Sequence, residues 1–161
     1  MGDETRRDKL IEERARTQLE HVWSCNVHSN PPFYPFDWQL FDLNNNECLG
    51  LAEFKTSSEP VEDNIKKYGG FRLDIKKLMK GYNAWVWLTR LPLFVVFRCS
   101  DEEDLYFHKF EHDRDYGFPA SRFWRGRKDK PQDKVPCLII PPNEFKKVEE
   151  DDLDPLGGVA Y

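Results

Sequence analysis

Asp37, Glu53 and Lys55 are the residues whose types and spacing suit chemistry at a charged oxygen centre. The triplet Glu53-Phe54-Lys55 lies in a strand-like run, where side chains alternate. Glu53 and Lys55 then share one face, and Ala52 and Phe54 the other. If Asn44-Asn45-Asn46 form a three-residue hairpin loop, Leu43 faces Glu47, and the same register sets Asp37 opposite Glu53. Directly opposed carboxylates with Cβ atoms about 5 Å apart are unfavourable unless a cation fills the gap. Mg²⁺ suits the gap, with Mn²⁺ as a substitute, because it takes hard oxygen ligands and needs only one or two protein carboxylates. Such an ion polarises a phosphoryl group and activates water, while Lys55 orients the water or stabilises charge developing on phosphorus. Phosphodiester hydrolysis is the reaction these parts suit. The same residues also read as a solvated strand face. A loop one residue shorter or longer turns Asp37 to the wrong face. Asp42, on the opposite face in the preferred register, is then the competing acid.

These residues need a scaffold. From Glu4 to Trp23 there is no Gly or Pro, and Leu10, Ile11, Ala15, Leu19, Val22 and Trp23 recur near helical spacing, predicting an amphipathic helix. It stops in Ser24-Cys25-Asn26, and Asn30-Pro31-Pro32 cannot continue it. Strand-like runs Phe33 to Leu43 and Glu47 to Thr56 flank the asparagines and predict a β-hairpin. Polar residues and Pro60 follow. Gly69-Gly70 then marks a break before Leu73 to Thr89, where Ile75, Leu78, Met79, Tyr82, Trp85, Val86 and Thr89 fit a second helix, although Trp85 to Leu88 alone also reads as strand. Beyond Pro92, Leu93 to Arg98 suits a buried strand and Leu105 to Phe110 another. The chain then turns irregular after Tyr116, before a strand-like run at Val135 to Ile140. This order predicts an α/β or α+β sandwich with a mixed central sheet, as one domain over 1–148 followed by an acidic tail over 149–161.

Size and composition bound the possibilities. The 161 residues suit one domain, and 33% charged with 14% aromatic residues suits a globular fold. No apolar run reaches membrane-spanning length, and the N-terminus is charged, which points to a cytoplasmic protein without a membrane partner. Cys25, Cys48, Cys99 and Cys137 are widely spaced and read as reduced and mostly buried. His108 and His112 have the spacing of half a zinc site with no cysteine pair to complete it. With Lys+Arg at 24 against Asp+Glu at 29, bulk charge argues against wrapping nucleic acid. Base is nevertheless concentrated at Lys76, Lys77 and Lys80, and again where Arg122, Trp124, Arg125, Arg127, Lys128 and Lys130 interleave cations with an aromatic ring. That composition suits phosphate contacts and base stacking, or equally a solvated face.

Phe36-Asp37-Trp38, a turn, and Leu49 to Thr56 around Glu53-Phe54-Lys55 together resemble the signature of the PD-(D/E)xK nuclease superfamily. Upstream, Glu12, Ala15 and Leu19 resemble the start of the first helix in resolvase-like members, where the glutamate assists metal binding; Glu13 and Glu20 are rivals for that role. Downstream, Gly69-Gly70-Phe71, Lys76 or Lys77, and Leu91-Pro92-Leu93 leading into Val95-Val96-Phe97 are similar to phage members. The similarity spans roughly residues 10 to 110. In one departure, Phe36 separates Pro35 from Asp37. The resemblance implies a restriction endonuclease-like fold and a Mg²⁺-dependent nuclease acting on nucleic acid, with DNA expected and a homodimer admitted, as in many resolvase-like members. Its catalytic set would be Asp37, Glu53, Lys55 and Glu12, its metal ligands Asp37 and Glu53, and its nucleic-acid contacts Lys76, Lys77, Lys80, Arg122, Arg125, Arg127 and Lys128. The alternatives are an inactive nucleic-acid-binding module on the same fold, and an interaction protein in which the carboxylates are coincidence.

Overall fold

Ala15, Leu19 and Trp23 recur every fourth residue, and in the folded chain all three are buried on one stripe of α1 (Gly2–Trp23). The computed structural model describes residues 2–31, 34, 36–74, 91–99, 103–111, 114, 116, 123–125 and 135–149. The stripe packs on a six-stranded sheet, with Trp23 against Phe94 and Phe107 at ring-centroid separations of 4.9 and 5.1 Å. Side chains of this size contribute about 1.5–3 kcal/mol each when fully buried. Leu10, placed on the same stripe by sequence, is 50% exposed.

Ser24 takes a left-handed conformation (φ 51°) and turns the chain directly into β1 (Cys25–Ser29), a strand the sequence reading treated as loop. β1 pairs antiparallel with β2 (Trp38–Asp42), shorter than the predicted run, and β2 pairs antiparallel with β3 (Cys48–Ser57). A short helix, α2 (Val61–Tyr68), follows β3 and was not foreseen. Glu62 and Asp63 in its first turn and Lys66 and Lys67 in its last complement the helix dipole, and Gly69 closes it in the left-handed conformation (φ 82°).

The segment expected to open a second helix at Leu73 instead belongs to a strand, β4 (Phe71–Asp74). Its alternating burial answers to the sheet it joins, and that tertiary pairing overrides the helical period. The rest of that predicted helix, with Lys76, Lys77 and Lys80, lies outside the described residues. β5 (Leu93–Cys99) runs parallel to β3, and β6 (Leu105–Lys109) antiparallel to β5, close to the predicted bounds.

The remaining strands are β7 (Phe123–Arg125), β8 (Val135–Ile140) and β9 (Lys146–Lys147), of which only β8 was expected. Strand order is β1-β2-β3-β5-β6-β9 in the main sheet and β4-β8-β7 in a second one. The central sheet is therefore mixed, and with the two described helices it forms the α+β architecture expected from the sequence. Its faces hold separate cores. Trp38, Leu40, Ala52, Phe94 and Val96 pack toward α1, while Leu93, Val95, Phe97 and Phe110 pack with Phe71, Leu73 and Ile140 of the second sheet.

Candidate metal and nucleic-acid site

The hairpin register places the three chemistry-bearing residues. Trp38 pairs with Ala52, Gln39 with Leu51 and Leu40 with Gly50. Carried on by one residue, that pairing sets Asp37 opposite Glu53, as the sequence reading required. The loop that produces it differs from the three-residue turn expected. The Asp42 amide donates to the Glu47 carbonyl at 2.8 Å, so four residues form the turn and Leu43 does not face Glu47. Between Leu40 and Phe41 the register shifts, Phe41 pairing with Cys48, and Leu49 is the extra residue of a bulge. The two one-residue offsets cancel at the site.

Asp42 is occupied elsewhere. Its Oδ1 accepts the amides of Asn44 and Asn45 at 2.8 and 3.1 Å, an arrangement that stabilises the turn. Asp37 lies where β2 gives way to loop, and its Oδ2 accepts the Phe54 amide at 2.9 Å. Asn30 holds the same loop, its amide bonding the Asp37 carbonyl at 2.7 Å and its side chain the Phe36 carbonyl at 3.0 Å. Sequence reasoning missed Asn30; as a polar residue just beyond a strand and before Pro31, it offered only a weak signal.

Phe54, between Glu53 and Lys55, is anchored twice, by the Asp37 carboxylate on its amide and by Trp38 stacked on its ring at 4.9 Å. Glu53 is 2% exposed, and in the parallel register it neighbours Val95. Lys55 Nζ lies 3.5 Å from Glu53 Oε1 and is about one-third exposed, so the amine reaches solvent while the carboxylate does not. Both project from the face that packs toward the second sheet, as alternation predicts.

Of the three helix glutamates, Glu12 bonds the side chain of Trp38, the residue next to Asp37. Glu12 Oε1 accepts the Trp38 indole N–H at 2.9 Å and the Ser29 hydroxyl at 3.4 Å. Glu20 instead binds the Val27 amide at 2.9 Å and ties α1 to β1. Glu13 is exposed, and its carbonyl accepts the Thr17 hydroxyl.

At the far end of β3, Asn64 of α2 is buried and donates to Ser57 Oγ and to the carbonyls of Glu59 and Pro60 at 2.9–3.1 Å. This holds the strand end two residues beyond Lys55. Glu59 takes Lys67 at 3.0 Å, which keeps its carboxyl below the usual range.

Among the described residues, no group of three or more His, Cys, Asp or Glu side chains is arranged around a common metal position. Asp37 and Glu53 could together give an ion a two-carboxylate, all-oxygen donor set. That fits an ion such as Mg²⁺, which keeps several of its waters, and suits zinc poorly. Both ring nitrogens of His108 are engaged, Nδ1 with the Glu144 carbonyl at 2.6 Å and Nε2 with the Tyr116 hydroxyl at 3.0 Å, so His108 is not available as a zinc ligand. All four cysteines are outside disulfides; Cys25, Cys99 and Cys137 are buried, while half-buried Cys48 has its thiol pushed up by burial. Arg122, Arg127 and Lys128 lie outside the described residues, as do His112 and the residues beyond Glu149 expected to form an acidic tail; the Arg125 backbone belongs to β7.

A mixed sheet with an acid at the hairpin mouth and an E-x-K triplet on the neighbouring strand defines the PD-(D/E)xK nuclease class. Residues 2–148 match a family model described as "Phage putative PDDEXK endonuclease", and the chain belongs to that family. No curated protein and no solved structure matches the chain. Among the described residues, no helix is long and apolar enough to cross a membrane.

Proposed function

We propose that the protein is a metal-dependent nuclease that hydrolyses phosphodiester bonds in DNA, with Asp37 and Glu53 as metal ligands and Lys55 beside them. One observation carries the reading: the Asp37 carboxylate accepts the amide of Phe54, the residue between Glu53 and Lys55, which brings Asp37 to the E-x-K triplet across the hairpin. A Mg²⁺ ion held between the two carboxylates would polarise a phosphoryl oxygen and acidify an attacking water. Glu53, buried and fixed on the central strand, holds its carboxylate with little rotamer freedom. Lys55, about one-third exposed, can donate a hydrogen bond to the water or to the phosphoryl oxygens as charge develops there. Glu12 acts through Trp38, holding the indole against Phe54 and so the loop from which Asp37 projects.

Purified protein and an Asp37→Ala/Glu53→Ala double variant, incubated with labelled linear, circular and branched DNA plus Mg²⁺ or Mn²⁺, test the reading. Cleavage by the wild type alone, dependent on the added metal, supports it. A wild type that binds metal and nucleic acid but cuts none of these substrates overturns it in favour of a binding module on the same fold.

A further inference from the structure

The sheet face that carries Glu53 is divided between cover and solvent. Leu93, Val95 and Phe97 of β5 lie under Phe71, Leu73 and Ile140 of the second sheet, and Leu51 of β3 packs against the same core. Glu53 neighbours Val95 on that covered side. On its other side are β2 and β1, where Gln39 pairs with Leu51 and with His28, so all three share the face. His28 is exposed and Gln39 half-buried. A strand that reaches buried Glu53 therefore passes Lys55 on one hand and Gln39 with His28 on the other.

Gln39 stands two residues from Asp37 along β2, about 7 Å from the carboxylate row. The row of His28, Gln39 and Leu51 holds no Lys or Arg. It presents an amide, which both donates and accepts, and an imidazole ring 4.8 Å from the Phe41 ring at an interplanar angle of 62°. Phosphates are met by cations, whereas bases stack on rings and match their edges to amides. We infer that His28 and Gln39 form a subsite for an unpaired base, that of the nucleotide adjoining the phosphate at Asp37, Glu53 and Lys55. The base rests on the His28 ring, which Phe41 backs, with its edge against the Gln39 amide. The inference rests on the nuclease reading and deepens it by naming a substrate class, nucleic acid that is single-stranded beside the cut. A base inside a duplex is stacked and cannot reach such a ring.

Stacking on a side-chain ring contributes about fivefold to a hundredfold in affinity per base. The test is fluorescence anisotropy with two labelled single strands of equal length, one of DNA and one the same phosphodiester chain without bases. Ca²⁺, which also takes oxygen ligands, replaces Mg²⁺. The wild type should prefer the strand with bases by at least about fivefold. His28→Ala/Gln39→Ala should reduce that preference below about twofold while binding the abasic strand as the wild type does, with the salt slope unchanged, because no phosphate contact is lost. His28→Ala alone, at an exposed position, should move the preference the same way, so the test does not depend on the double variant folding. Equal binding of the two strands by the wild type, or a preference that survives in the variants, overturns the subsite and leaves the nuclease reading standing. A wild type that binds neither strand, nor duplex DNA, overturns the subsite and the nuclease reading together.

Discussion

Replacing Glu53 by Gln should strengthen the fold in the absence of metal while abolishing the response to it. Glu53 is 2% exposed and has Asp37 as its cross-strand neighbour. Opposed strand positions have Cβ atoms about 5 Å apart, and two like charges at such a separation repel by about 3 kcal/mol at an effective dielectric near 20. Lys55, 3.5 Å from Glu53 Oε1, offsets much of this, but its one-third exposure weakens the pair. The burial of the Glu53 charge then adds a desolvation cost of several kcal/mol. Gln keeps the shape and removes the charge, so the metal-free variant should unfold about 1–3 kcal/mol harder than the wild type in urea. Mg²⁺ at about ten times its Kd should add about 1.4 kcal/mol to the wild type and nothing to the variant. Cleavage should fall by at least about a thousandfold. A loss of more than about 2 kcal/mol in the metal-free variant, or an undiminished Mg²⁺ increment, refutes the assignment of Glu53 as a ligand.

Three further outcomes follow from the geometry. Glu12→Ala should slow cleavage roughly 10- to 100-fold by releasing the Trp38 indole, while Glu13→Ala, at an exposed position, should leave it within about twofold; initial-rate assays compare them. Burial holds the His108 imidazole below its ordinary value of 6.5, opposed by its bond to the Glu144 carbonyl and the charges of Glu144 and Glu111, and aided by Arg114. The unfolded chain therefore binds a proton that the folded chain resists. His108 contributes stability that is present above about pH 6.5 and lost as pH falls below it, so urea midpoints should drop between pH 7 and 5.5, and less so in His108→Gln. Gly70→Ala should cost about 2–4 kcal/mol, because φ is 152° and a Cβ there would lie 2.0 Å from the Ile140 carbonyl oxygen; a thermal melt reads the loss.

The sequence by itself determined which residues of the hairpin share a face. Alternation alone puts Glu53 and Lys55 together, and the apolar positions Trp38, Leu40 and Ala52, with Phe54 packed against them, leave the hairpin one register in which that set faces the core. This is why the register survived a wrong loop. Asp42 and the asparagines made a four-residue turn, and the chain absorbed the slip in a bulge at Leu49, because a one-residue shift would have turned every core side chain to the other face.

Part of what was missed was still legible. The acidic start, basic end and closing Gly69 of α2 are local signals. Other elements were not. β1 exists because Cys25 and Val27 can be buried under α1, and Phe71–Asp74 is a strand because Cys137–Ile140 lies alongside it, far along the chain. Which helix glutamate meets the hairpin was likewise decided only by the packing of α1, since Glu12, Glu13 and Glu20 are alike in type and differ only in the direction the helix gives them. Local pattern sets period and face, whereas partners distant in sequence are chosen by burial that exists only once the chain has folded.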